Sequence, residues 1–137
     1  MQNLEILGIV NTYMAQKEAA AKARQEGITV PEVRLPAAVA WKRRINMDKL
    51  FQAKRVIDEA LREIGGKYSD DVHSTEKEDG SREVKAEFLP DFLKEQSDIL
   101  TQDTEVDIRK VKISELDGLE LTDADMDILA FMIEEDE

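Results

Sequence analysis

The chain contains no cysteine, so neither a disulfide framework nor a thiolate metal site can form, and nothing in it rewards an oxidising compartment. It has no run of about 18 apolar residues, the length a membrane-spanning helix needs. Its opening residues, Met-Gln-Asn-Leu-Glu, lack the basic region of a signal peptide. The expectation is a protein that neither crosses a membrane nor is secreted. Histidine occurs once, as His73. No Gly-x-Ser-x-Gly elbow activates a nucleophile, and no Gly-x-x-x-x-Gly-Lys or Gly-x-Gly-x-x-Gly loop offers a phosphate cradle. These absences predict a protein without a cofactor or a catalytic group, one that acts by binding and not as an enzyme.

What is present is enough for a folded core. The 137 residues suit one domain spanning 1–137. Apolar residues, at 42%, match the globular norm, whereas charged residues, at 36%, exceed the usual quarter, which predicts a core under a heavily charged skin. The net charge of −12 is uneven: residues 1–64 carry 11 Lys+Arg against 8 Asp+Glu, and residues 65–137 carry 8 against 23. Such asymmetry either pairs a basic helix with an acidic segment inside the molecule or turns an acidic face toward a basic partner.

Apolar periodicity places the elements. Leu4, Leu7, Val10 and Met14 recur at helical spacing and an alanine-rich stretch follows, so a helix is predicted over residues 3–25 with Gly27 at its C-terminal cap. Residues 28–36, with two prolines, predict an extended connector. A long second helix begins at Ala37, with an interruption expected near Asn46. Its stripe runs through Leu50, Ala53, Ile57 and Ile64, and Gly65-Gly66 is expected to stop it. The two helices should pack antiparallel as a hairpin over 1–66.

Within 67–89, the turn residues Glu78-Asp79-Gly80-Ser81 predict a β-hairpin over 72–87. The remaining segment, 90–137, reads as acidic helix, strand and helix. Pro90 opens a short helix ending at Leu100. Val106, Ile108, Val111 and Ile113 suggest a strand bulged near Arg109-Lys110. Thr122, followed by Asp125 and flanked by Leu121 and Met126, starts a last helix. Its stripe is Met126, Leu129, Met132 and Ile133, and an acidic tail from Glu134 to Glu137 is expected to fray. The fold class is therefore α+β, helix-dominated.

Three constellations invite a chemical reading. Asp123, Asp125, Asp127 and Glu134 occupy the first, third, fifth and twelfth places of a calcium loop, but Ile128 stands where that loop needs glycine. The acids then read as a favourable start for a helix dipole. The basic run Trp41-Lys42-Arg43-Arg44, with Lys49, Lys54 and Arg55, is a candidate for phosphate contact. In so acidic a chain it reads better as an internal partner or a solvated face, with Trp41 a packing residue. His73, near Asp70 and Asp71, reads as a loop histidine.

Taken in order, Asn3-Leu4-Glu5-Ile6-Leu7, Val106-Asp107-Ile108, the run Ile113-Ser114-Glu115-Leu116-Asp117-Gly118-Leu119-Glu120-Leu121-Thr122, and Leu129-Ala130-Phe131-Met132-Ile133 resemble a group of short uncharacterised proteins of tailed bacteriophages and prophages of Gram-positive bacteria. The resemblance implies a viral origin and the bacterial host cytoplasm as the working place, and it brings no catalytic residue. The expected function is a protein-binding accessory factor, in its sharpest form an inhibitor of a bacterial antiviral defence. It would contact a host or phage protein with a basic surface through Glu105, Asp107, Asp117, Glu120, Asp123, Asp125 and Asp127, with no direct nucleic-acid or membrane binding. A structural or assembly role with self-association, and a small-molecule-binding role, are the open alternatives.

Overall fold

The computed structural model describes residues 1–29 and 34–134. Two helices form its frame, α1 (Asn3–Gln25) and α2 (Ala37–Lys67). At 1.5 Å per residue they are about 34 and about 46 Å long. α1 ends in a closure that glycine makes possible: Gly27 has a φ of 77°, its N–H donates to the Arg24 carbonyl at 3.1 Å, and the Ile28 N–H donates to the Ala23 carbonyl at 2.9 Å. This pair of bonds is a Schellman cap, at the position expected of Gly27. Part of the connector expected over 28–36 falls on residues 30–33, outside the described residues.

The helices pack as a hairpin through Ile6 and Val10 of α1 and Met47, Leu50 and Ile57 of α2. The phase of α1 differs from the expected stripe. Asn3, Ile6 and Val10 are buried, while Leu4 and Met14 are 57% and 47% exposed. Asn3 explains the rotation, because its side chain donates to the Ile99 carbonyl at 2.8 Å and its oxygen accepts from the Thr104 hydroxyl. A polar residue therefore faces inward in the first turn.

α2 runs unbroken through Asn46, which is fully buried on the same side as Met47 and Leu50. Gly65-Gly66 do not end it either; both lie within its last turn. Beyond them the Tyr68 ring packs edge-on against Phe92 and His73, each at 5.3 Å between centroids. Burial of that ring outweighs the roughly 1 kcal/mol that each helical glycine costs.

The hairpin has short arms, β1 (Ser74–Glu76) and β2 (Arg82–Val84), antiparallel with Ser74 opposite Val84. Its turn is the expected one, closed by the Lys77 N–H on the Ser81 carbonyl at 2.7 Å, with Gly80 at a φ of 85°. α3 (Leu89–Leu100) follows with Pro90 in its first turn and packs chiefly on α2.

The strand expected beyond α3 is mostly an extended strap without a ladder. Only β3 (Val111–Lys112) pairs, in parallel with β4 (Ile133–Glu134). There is no bulge that brings Ile113 inward. At Ile113 the chain turns into a 3-10 helix (Ile113–Leu116), closed by the Lys112 N–H on the Glu115 carboxylate at 2.8 Å, and Ile113 is left 47% exposed.

α4 (Asp123–Leu129) starts where expected. The Asp125 N–H donates to the Thr122 hydroxyl at 3.1 Å and the Thr122 N–H donates to the Asp125 carboxylate at 3.0 Å, a reciprocal cap. It is shorter than its apolar pattern suggests. A 3-10 turn (Ala130–Met132) redirects the chain, so Ile133 and Glu134 belong to β4 and not to a helical stripe or a frayed tail; residues 135–137 are outside the described residues. Val39, Val111, Leu116, Leu129 and Met132 form a second core cluster, and Ile108 and Phe131 pack against both clusters.

Candidate functional site

The strap is fastened in three successive ways. At its start the Asn3 N–H donates to the Gln102 carbonyl and the Thr104 N–H to the Met1 carbonyl, each at 2.9 Å. In its middle α2 takes over with Lys42, Asn46 and Lys49, whose spacings of four and three put them on one helix face. Lys49 Nζ donates to the Asp107 carbonyl at 2.8 Å and Lys42 Nζ to the Lys110 carbonyl at 3.1 Å. Between them Asn46 Nδ2 donates to the Arg109 carbonyl at 2.9 Å, and the Arg109 N–H donates back to Asn46 Oδ1 at 2.8 Å. At its end β3 joins β4. Side chains of a helix thus take the place of a neighbouring strand.

α2 thus takes both backbone groups of Arg109 and the carbonyls of Asp107 and Lys110. The N–H and C=O groups of Val106 and Ile108 meet no protein hydrogen-bond partner among the described residues.

The acids expected to form the contact surface fall in two places. Glu105 and Asp107 lie on the strap, and the Asp107 side chain is 94% exposed, with Lys49 Nζ 3.8 Å away. Asp117 and Glu120 lie in the loop before α4; Asp123, Asp125 and Asp127 lie on α4 itself. Asp125 is occupied by the cap on Thr122. Among the described residues, Glu105, Asp117, Glu120, Asp123 and Asp127 have no cation in ion-pair range, and all five are exposed.

Two of the strap's own cations, both exposed, are engaged within the molecule: Arg109 lies over the Trp41 ring at 4.8 Å and Lys110 Nζ donates to the Phe131 carbonyl at 3.0 Å. Trp41, 54% exposed, is therefore a surface platform for an arginine of the same chain and not a core residue. Of the basic run, Lys42 and Lys49 find internal partners, chiefly backbone carbonyls, and Lys54 pairs with Asp58 on its own helix. Sequence reasoning missed this role of Asn46 altogether. A buried asparagine within an apolar stripe was the available signal, since such a group must be satisfied by something.

A second constellation surrounds His73. Its Nδ1 lies 2.6 Å from Asp70 Oδ1, which also accepts from the His73 backbone N–H at 2.9 Å, and its ring lies 4.7 Å from Phe88. The His73 ring, and then its N–H, hold the Asp70 carboxyl below the usual range. Asp71 instead accepts from Arg82 at 2.8 Å. Ser74, the hydroxyl beside this pair, is buried and donates to the Asp70 carbonyl at 2.9 Å.

Next to it Glu95 accepts from Lys67 at 2.7 Å, with the Tyr68 hydroxyl close to the same carboxyl. Lys67 first, then Tyr68, hold the Glu95 carboxyl below its usual range, while Glu95 first and burial second push Tyr68 up to about 12. These contacts clasp the end of α2 to the hairpin and α3. Among the described residues no group of three or more His, Asp or Glu side chains converges to hold a metal ion.

A groove of about 380 Å³ between α1 and α2 is lined by Met14, Phe51, Lys54, Arg55, Asp58, Glu59 and Arg62. It is open, and Lys54 is already paired with Asp58 within it. Comparison of the chain with protein-family models, with curated proteins and with solved structures finds no match. Among the described residues no helix is long and apolar enough to cross a membrane.

Proposed function

We propose that the protein is a non-catalytic binding factor that engages a partner with a basic surface through the acids of residues 105–127. The observation that carries this reading is the balance of charge in that segment: Glu105, Asp117, Glu120, Asp123 and Asp127 stand exposed with no cation in ion-pair range among the described residues, against three exposed cations, of which Arg109 stacks on Trp41 and Lys110 bonds the Phe131 carbonyl. With a net charge of −12, such a surface steers a basic protein toward itself and raises the association rate. In the setting that the phage resemblance implies, the partner is a host or viral protein. The finer form of the proposal is an inhibitor that occupies the nucleic-acid groove of a defence enzyme.

The test is capture from a nuclease-treated lysate of infected cells, with two variants of equal net charge. One neutralises Glu105, Asp117, Glu120, Asp123 and Asp127; the other neutralises Glu18, Glu59, Glu63, Glu76 and Glu78, which are exposed elsewhere. The expected result is a basic prey protein, released by added salt, lost from the first variant and kept by the second. Equal loss from both, or capture indifferent to salt, contradicts the proposal.

A further inference from the structure

The chain holds two Asp-Gly pairs, Asp79-Gly80 and Asp117-Gly118, both exposed and both in turns whose glycine has a positive φ. The two turns treat the same atoms differently. We infer that Asp117-Gly118 is a site of spontaneous covalent modification, at which the aspartate isomerises to isoaspartate, while the fold protects Asp79-Gly80 from the same change. Whether or not the acids bind a partner, this chemistry depends only on the two turns.

The reaction needs no cofactor. The glycine amide nitrogen attacks the side-chain carboxyl carbon of the preceding aspartate. An N–Cγ bond forms, the nitrogen gives up its proton, the protonated carboxyl gives up its hydroxyl, and one water leaves as a succinimide ring closes. Water then opens the ring. When it breaks the bond between the nitrogen and the original backbone carbonyl carbon, the chain runs on through Cγ and the old backbone carbonyl becomes a side carboxylate. One water leaves and one enters, so the mass is unchanged and nothing is oxidised or reduced. Glycine favours the attack because no Cβ crowds the nitrogen. The glycine N–H must be free, the carboxyl must be free to take up a proton, and the peptide between them must be able to rotate.

At Asp79 each requirement is opposed. The Gly80 N–H donates to the Lys77 carbonyl at 3.0 Å, and Asp79 Oδ1 accepts from the Ser81 N–H at 3.0 Å and from the Ser81 hydroxyl at 2.6 Å. The Ser81 hydroxyl, and then its N–H, hold the carboxyl below its usual range, which makes the protonated form scarcer. The Lys77 N–H on the Ser81 carbonyl at 2.7 Å closes the hairpin around this peptide.

At Asp117 the bonds are missing. Asp117, with φ −58° and ψ 138°, and Gly118, with φ 80°, are the central residues of a type II turn closed by the Leu119 N–H on the Leu116 carbonyl at 3.2 Å. Among the described residues the Gly118 N–H has no hydrogen-bond partner, and the Asp117 carboxylate has neither a hydrogen-bond donor nor a cation in ion-pair range. The peptide between them can turn from ψ 138° toward the carboxyl carbon without breaking a bond of its own, and glycine accepts the change of φ. The product inserts one carbon into the main chain between buried Leu116 and the Thr122 cap of α4.

The experiment ages the wild-type protein for several weeks at mildly acidic pH, folded and in concentrated urea. Isoaspartate is then located in digests by electron-transfer fragmentation, which cleaves the Cα–Cβ bond that isomerisation places in the main chain. In urea the two pairs should convert alike. In the folded protein Asp117 should convert at least about fivefold faster than Asp79, the factor that a single net hydrogen bond supplies. Ser81→Ala should speed conversion at Asp79 and leave Asp117 unchanged. Equal rates in the folded protein, faster conversion at Asp79, or an Asp117 that survives where the unfolded chain converts overturns the inference. An unchanged rate at Asp79 in Ser81→Ala overturns the protection assigned to that turn.

Discussion

The side-chain amide of Asn46 and the backbone amide of Arg109 exchange two hydrogen bonds, at 2.9 and 2.8 Å, as residues of neighbouring strands do. Asn46 is on a helix, fully buried, and 63 residues away in sequence. The pair joins α2 to the strap and, through Ile108 on the adjoining position, helps to join the two core clusters. It is the point at which the helical hairpin organises the acidic third of the chain.

Replacing Asn46 should therefore cost more than its size suggests. Asn46→Leu fits the apolar surroundings but strands the N–H and C=O of Arg109, and the expected loss is about 2–4 kcal/mol. Urea unfolding of the variant and the wild type measures it. A change of under about 0.5 kcal/mol, the scale of an ordinary surface substitution, contradicts the role assigned to the pair.

How much of this was legible in the sequence depends on how far apart the interacting residues are. The Gly27 closure, the Gly80 turn and the Thr122–Asp125 cap are each made within a few residues, and composition alone located them. The phase of α1 was misjudged because Asn3 answers to Ile99 and Thr104, nearly a hundred positions on. The suspected interruption at Asn46 failed for the same reason: asparagine weakens a helix locally, and its compensation lies across the fold. Gly65-Gly66 read as a stop because the buried Tyr68 ring beyond them has partners that local propensity does not register. For the acids, the sequence shows their number. The cap motif sets Asp125 apart, and the structure adds which of the other acids are exposed without a cation in range among the described residues.

The glycines make opposite predictions. A Cβ at Gly66 meets nothing within 4 Å and the backbone there is helical, so Gly66→Ala should stabilise by about 0.5–1 kcal/mol. Gly80 is also unhindered, but its φ of 85° disfavours any side chain, so Gly80→Ala should destabilise by about 1 kcal/mol. Thermal unfolding of the two variants should shift in opposite directions, and a shared sign would refute the conformations described.

At the alkaline end, Tyr68 ionises late because its hydroxyl is held by Glu95. In a Tyr13→Phe background, phenolate absorbance should rise near pH 12, and Glu95→Gln should bring the transition down toward 10.0. A raised folded pKa favours the fold below the unfolded value. Its contribution is complete below pH 10 and lost as the pH rises through 12. An unchanged titration in the Glu95 variant would break the assignment.

At the acid end the sign is reversed. Asp70 is held low chiefly by the His73 ring, Asp79 by the Ser81 hydroxyl and Glu95 by Lys67. Depressed carboxyls favour the fold above their ordinary range and lose that contribution as the pH falls below about 4. The urea midpoint should fall with acid in the wild type and fall less steeply in Asp70→Asn. Identical slopes would mean that the His73 clasp contributes nothing.

The most direct measurement is amide hydrogen exchange along the strap of the free protein. The Arg109 amide, bonded to buried Asn46, should exchange at least about 100-fold more slowly than those of Val106 and Ile108, which have no protein hydrogen-bond partner among the described residues. Slow exchange at Val106 and Ile108, or fast exchange at Arg109, would mean that the strap is not fastened as described.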